Sequence, residues 1–546
     1  MSLKTTDPRI VPETTLRVAK AAFPKGSLAL RLRDLLGSVY DEGTFADLFS
    51  RRGPPAEAPW RLALVTVLQF AENLTDRQAA DAVRGRIDWK AALGLALEDA
   101  GFDFSVLSKF RSRLITGEAE GLLLDTLLER CKEKQLLRQR GRARTDATAV
   151  LTSVRALNRL ELITETLRAA LNELATVAPD WLREVARPEW FERYADRVEE
   201  AQLPKGVAAR QEYAEVVGHD GFALFKALDR PISLELSRLD AANALRQVWL
   251  QHFWLEDGKV RLRAAKDLPP SARRLQSPYD VDARYSKKAD FTWVGYKVHL
   301  TESCDDDLPH LITNALTSRA TLRDSEVTAD VHASLAAKAL LPAVHFTDAA
   351  YVDADLLADS FGTYGVDLFS PVMGDPSWQG RTPEAYHAGM FEIDWDEHRA
   401  RCPEGKTSYR WIADHDASDH ATLRMKFRHE DCALCPARPR CTRSQDKPRV
   451  ILIRQQRQHE ALCGARERMK MSEWRATYQK RQGIEGTISE GVREHGMRRS
   501  RYVGTAKTHV QNVAIAAGIN VQRLSAWVEG RPRAKTRISR FKRLQA

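Results

Sequence analysis

The sequence predicts an α/β protein: a mixed sheet flanked by helices, with a helical N-terminal region, a large helical insertion and a cysteine-rich insertion. Three observations predict this. Short β-branched and aromatic runs at 141–155, 291–317 and 344–372 alternate with stretches of helical period. Residues 156–269 carry apolar side chains three or four apart. Residues 374–445 have neither period and hold four of the seven cysteines.

At roughly 100–200 residues per domain, 546 residues make three or four domains, or one core with insertions. Hydrophobic residues at 43% and charged residues at 29% fit a globular chain and exclude a disordered one. No apolar run reaches the ~18 residues of a membrane-spanning helix. The opening MSLKTTDPRIVPETTLRVAK has no secretory apolar run, and the few, clustered cysteines point to a reducing, cytoplasmic compartment. The net charge is +10, and residues 498–546 alone hold 12 Lys/Arg against one acid, Glu529. Such a segment suits a polyanion, most simply nucleic acid, or is a solvated surface.

In chain order, residues 1–140 read as a helical N-terminal DNA-binding or dimerisation domain. In FDFSVLSKFRSRLI, Ser105 is the expected N-cap, and Val106, Leu107, Phe110 and Leu114 recur at helical spacing. Lys109, Arg111 and Arg113 fall on the other faces, either as a helix–turn–helix-like DNA reader or as charges facing water. GRARTDATAVLTSVR (141–155) reads as a strand ending near Asp146. Helical character then runs to about 265 within the 156–269 insertion. Residues 270–373 return to the sheet: FTWVGYKVHLTES and PHLITNALT form a hairpin about Asp305–Asp306–Asp307. A helix comes next, then AVHFTDAAYV, whose alternation stops at Asp348, and the short strand YGVDLFSPV. Residues 374–455 form the cysteine-rich insertion, 456–520 the helices that complete the core, and 521–546 a basic tail.

A carboxylate at a strand end is rigid and partly exposed. Asp146 and Asp348, on neighbouring strands, with a third acid from a helix, would make a hard-oxygen site for Mg²⁺ or Mn²⁺. Two such ions can serve phosphodiester chemistry. Tyr478, Arg481 and Glu485 share one helical face, with Lys480 beside them: a carboxylate for metal, an arginine for phosphate and an aromatic ring, or else a surface ion pair beside a packed tyrosine. Asp280 and Asp282 rival Asp146, and Glu490 lies about 140° round the helix from Glu485. Asp353 and Asp355 read as helix-start acids. Cys402, Cys432, Cys435 and Cys441, spaced C-x29-C-x2-C-x5-C, suit one tetrahedral Zn²⁺, or are reduced thiols or a redox pair at Cys432 and Cys435. His415 and His429 stand in reserve as ligands, and Cys131, Cys304 and Cys463 are isolated. His299 reads as packed within its strand. No phosphate loop for ATP is present.

TDATAVL around Asp146, WVGYKVHL at 293–300, FTDAAYVDADLL around Asp348, the run RQGIEGTISEGVREHGMRRSRYVGTAKTHVQNVAIAAGIN at 481–520, and the helical region 45–115 together resemble the DDE transposases of bacterial insertion sequences, in the superfamily marked by a Tyr-Arg-Glu-Lys signature. The resemblance implies an RNase H-like core whose catalytic Asp146, Asp348 and Glu485 bind two Mg²⁺ ions. It also implies that Tyr478 and Arg481 contact DNA near the cleaved end. The family's lysine would fall at Val492; Arg493 stands one residue later, about 100° round the helix, which leaves that contact open. The expected partners are double-stranded DNA, as terminal inverted repeats and target, and a second copy of the chain. Lys480, Arg498, Arg499 and Arg501 are candidate DNA contacts with Lys109, Arg111 and Arg113, in a bacterial, nucleoid-associated setting. The expected reaction is cleavage at element ends and strand transfer. The alternatives are a DNA-binding regulator without catalysis and a nuclease that cuts without joining.

Overall fold

The computed structural model describes all residues except 1–5, 51, 54–55, 201–202, 418, 533–540, 542–543 and 545–546, together with the side chain of residue 232. Among the N-terminal helices, α1 (Pro59–Ala71) is buried all round apart from Arg61, so it belongs to a core rather than a surface. Helix α2 (Ser105–Thr116) starts one residue earlier than expected. Ser105 is not its cap: the Ser105 N–H donates to Asp103 Oδ1 at 2.9 Å.

Strand β1 (Arg142–Leu151) comes next, and it does not end near Asp146. Asp146 pairs with Leu300 in mid-ladder, and five further residues continue the strand, because Ala147 to Leu151 keep the β-branched and small alternation that packs on a pleated surface. The insertion begins with α3 (Arg159–Val177), closed by a capping box between Asn158 and Glu161, and continues through α4 (Val207–Leu228) and α5 (Asp240–His252). The expected helix to about 265 is then corrected. Phe253–Glu256 and Lys259–Leu262 form a hairpin, turned by Asp257 and Gly258 with φ of 47° and 73°.

The main sheet adds β2 (Arg284–Lys288), β3 (Phe291–Ser303) and β4 (Ile312–Arg319). Helix α6 (Ser325–Ala337) leads to β5 (Val344–Phe346), and α7 (Ala354–Tyr364) to β6 (Asp367–Phe369). The order is β2-β3-β1-β5-β6, with β4 also on β3; β1 is antiparallel to β3 and parallel to β5, so the sheet is mixed. The cysteine-rich segment builds a separate three-stranded antiparallel sheet from Arg410–His415, Ala421–Lys426 and Val450–Arg454. It leads into α8 (Gln456–Lys470), then α9 (Gly483–Glu494) and α10 (Thr505–Val528).

Helix α10 ties the molecule together. It lies against both β4 and α1. Gly518 allows the approach to α1, since a Cβ there would stand 2.7 Å from the Ala71 nitrogen. On its other side Asn520 accepts from the Ile312 N–H at 2.7 Å and donates to the Ile312 carbonyl at 2.8 Å. One hydrophobic cluster therefore runs from the N-terminal helices through the sheet to α10, while the helical insertion and the cysteine-rich segment have clusters of their own. The segment 521–546 does not begin as a tail: α10 runs through residue 521 to Val528 with Leu524 and Ser525 buried, and most of 533–546 lies outside the described residues. Among the described residues no helix is long and apolar enough to cross a membrane.

Candidate active site

Strands β1 and β5 run parallel, with Arg144 opposite Phe346. Asp146 and Asp348 each lie two residues further along, so adjacent strands carry them to the same level. Asp348 caps the turn Ala349–Tyr351, its Oδ1 accepting from the Ala350 N–H at 2.9 Å. Glu485 comes from the first turn of α9, where a carboxylate faces the positive end of the helix dipole.

The three acids meet at Arg481. Its Nη2 lies 2.6 Å from Asp146 Oδ2 and 3.7 Å from Asp348 Oδ2, and its Nη1 lies 2.6 Å from Glu485 Oε1. The Arg481 side chain is 13% exposed and the acids 14%, 29% and 60% respectively, so the cluster opens to solvent on the Glu485 side. Arg481 Nε is buried and has no hydrogen-bond partner among the described residues. Burial pushes the Asp146 carboxyl above its usual range; Asp348 adds to this, and Arg481 opposes it. For Arg481 burial works against the charge, yet the surrounding acids hold the guanidinium protonated above its ordinary value.

Tyr478 donates to the Thr347 carbonyl at 3.2 Å, next to Asp348. Its ring stacks on Trp474 at 4.8 Å, and Trp474 stacks on Phe369 at 5.7 Å, both with 17° between planes. This column fixes the tyrosine beside the acids. Lys480 pairs with Asp306 at 2.8 Å in the β3–β4 turn.

Carboxylate oxygens are hard donors suited to Mg²⁺ or Mn²⁺, and the site already holds one positive group between three negative ones. The donor set thus fits a divalent ion in chemistry and in charge. Among the described residues no three Asp, Glu, His or Cys side chains stand in metal-holding geometry; at the acids, Arg481 lies between the carboxylates.

The rival acids serve the fold. Asp280 is buried and accepts from Tyr296 at 2.5 Å and from Thr152. Asp282 accepts from the Thr505 N–H at the start of α10. Glu490 pairs with Arg523, Asp353 caps α7, and Asp355 pairs with Arg454. His299 is bonded to Tyr351 and Ser318, and burial holds its imidazole down at about 4.

The basic candidates divide. Lys109, Arg493 and Arg499 are exposed. Arg111 is buried and paired with Asp76, so it does not face a groove. Arg113 lies over the Phe49 ring, Arg498 over Phe291 while donating to the Ala149 carbonyl, and Arg501 over Phe70 while donating to the Leu74 carbonyl. Chain atoms already hold these three.

Cys402, Cys432, Cys435 and Cys441 line one cavity of about 30 Å³, and neither His415 nor His429 lines it. The Lys406 N–H donates to Cys402 Sγ at 3.3 Å from a tight Cys402–Gly405 turn. Burial, reinforced by the other three thiols, pushes Cys441 up to about 11. Cys131 and Cys304 are buried apart from this group, and Cys463 lies on α8.

Sequence reasoning passed over Arg144 and Glu302. Both are buried charges within strands, and they face each other directly across the β1–β3 ladder. Their sequence signal is weak, because β1 and β3 carry other polar and charged residues as well, among them Asp146, Lys297 and His299.

Residues 401–525 match a model described as a transposase DDE domain, and residues 17–113 match a transposase domain, DUF772. The first match includes Glu485 and Arg481 but neither Asp146 nor Asp348. No curated protein and no solved structure matches the chain. Two transposase models matching opposite ends of one chain support a DDE transposase of an insertion-sequence family.

Proposed function

We propose that this protein cuts DNA at the ends of an insertion sequence and transfers the freed 3′ strand into target DNA, with the mixed sheet and its helices serving as an RNase H-like core. The observation that carries this is the meeting of Asp146, Asp348 and Glu485, from three distant segments, around Arg481. Two Mg²⁺ or Mn²⁺ ions held by these acids would supply an activated attacking oxygen and stabilise the leaving one. The chain's own residues do the rest. Adjacent strands fix Asp146 and Asp348, and α9 brings in Glu485. Arg481 partly offsets the charge of the acids in the free protein and turns to a phosphate when DNA arrives. Tyr478, locked in its aromatic column, borders the same cleft.

Lys109, Arg493 and Arg499 are the exposed candidates for phosphate contacts with the inverted repeats and target. Two copies of the chain would hold two DNA ends, in the bacterial cytoplasm at the nucleoid. Cys402, Cys432, Cys435 and Cys441 would hold one structural Zn²⁺ at their shared cavity.

The test uses end DNA, target DNA and Mg²⁺. Wild type should give cut and joined products, while Asp348→Asn and Glu485→Gln should give neither yet still bind end DNA. Cut products without joined ones would favour a simple nuclease. Full cleavage by either variant would remove that acid from the site.

A further inference from the structure

The molecule holds a second charged cluster, beneath the acids rather than among them. Glu302 on β3 has no solvent exposure, and two arginines flank it. Arg523 of α10 lies 2.8 Å from Glu302 Oε2 and also donates to Glu490 and Thr487 of α9 at 2.7 and 2.6 Å. Thr487 in turn donates to Glu302. Arg144 of β1 pairs with Glu302 through Nε, and its Nη1 donates to the Lys480 carbonyl at 2.6 Å. Arg144 lies two residues before Asp146, hence on the same face of β1. The Lys480 carbonyl lies one residue before Arg481. One guanidinium therefore links the strand of the first acid to the segment that carries Arg481 and Glu485.

The approach is close. A Cβ at Gly483 would stand 1.9 Å from Arg144 Nη1, so any larger residue there must displace the guanidinium from its present place against α9. Lysine cannot reproduce the link, because one ammonium lacks the planar fork that reaches a carboxylate and a carbonyl together.

We propose that Arg144, anchored by Glu302, is a positioning residue that sets the distance between Asp146 and Glu485, and that Gly483 is required for it. The inference rests on the metal-dependent site proposed above. Arg144→Lys keeps a positive charge for Glu302 and removes the hold on residue 480. Gly483→Ala keeps both Arg144 and Glu302 and pushes the guanidinium off the same contact from the other side, because its Cβ would fall on Nη1, Cζ and Nη2.

Both variants are made in the full chain and bound to end DNA. Mn²⁺ affinity is read by electron paramagnetic resonance, amide exchange is followed over 479–487, and end cleavage and thermal unfolding are measured beside them. Both variants should bind Mn²⁺ about tenfold more weakly, as expected when an outer contact orienting a ligand is lost. They should exchange faster over 479–487, bind end DNA as wild type does, and unfold within a few degrees of it. Wild-type Mn²⁺ affinity and wild-type exchange in both would overturn the proposal. If Arg144→Lys unfolds, Gly483→Ala decides alone. If wild type itself does not cut DNA, the transposase reading fails, and exchange over 479–487 still decides the positioning role.

Discussion

Arg481 carries one positive charge among three carboxylates that together carry up to three negative ones. That imbalance leaves a net attraction for cations which the guanidinium only partly meets. Replacing it with the neutral Arg481→Gln should therefore raise Mn²⁺ affinity in the absence of DNA by about tenfold or more, since an opposed charge at ~4 Å is worth a few kcal/mol near a protein surface. The same variant should cut end DNA poorly, because a phosphate contact is gone. Unchanged Mn²⁺ affinity, measured by the same resonance method, would show that the acids do not act together. Asp146 gives a second expectation. Its folded-state affinity for a proton is raised by burial, so the stability this contributes is present at low pH and lost as pH rises through the folded value. At neutral pH the ionised carboxylate is thus a destabilising group. Asp146→Asn should abolish cleavage while raising the melting temperature, with the gap closing as pH falls toward about 4, the ordinary aspartate value. A lower melting temperature at neutral pH would contradict it. The three acids were legible through short motifs, whereas Arg111 and Arg144 were not. A basic residue between apolar ones looks the same in sequence whether it meets DNA, Asp76 or Glu302.

Among the elements, β1 shows where local pattern stops informing. Its alternation was visible, but its length depends on pairing with β3 across nine registers, which no local window contains. Strand β2, sequence RYSKK, has no apolar alternation because it lies on the outer edge of β3. The hairpin at 253–262 carried its own signal in Asp257–Gly258, hidden by the helical period before it. Among the described residues the cysteine-rich segment has a core of nine buried hydrophobic residues, small for an independent unit, and a metal would compensate. The purified protein should carry one zinc per chain. Its removal by chelator should lower the first unfolding transition and expose four thiols to alkylation, as metal binding is coupled to folding in such units. Metal-free protein with the same transition and the same thiol protection would leave these cysteines as packing residues.

For the whole molecule, the notable arrangement is that both ends of the chain share one core. Helix α10 lies between α1 and the sheet, so the N-terminal helices cannot be a freely tethered DNA reader. This joining was illegible in the sequence, because helical periodicity says which face is apolar and not which partner covers it. The net charge of +10 is compatible with a site for polyanions, with Lys109, Arg493 and Arg499 among the exposed cations. If binding neutralises about six to ten phosphates, end-DNA affinity should fall roughly 10³–10⁵-fold between about 50 and 200 mM salt. A flat salt response would remove the electrostatic basis for DNA recognition.

The convergence of Asp146, Asp348 and Glu485 is most directly tested by anomalous diffraction from crystals of the end-DNA complex soaked in Mn²⁺. Manganese peaks touching all three carboxylates, with Arg481 turned away onto a phosphate, are the predicted result. Manganese bound elsewhere, with Arg481 still lying between the acids, would contradict it.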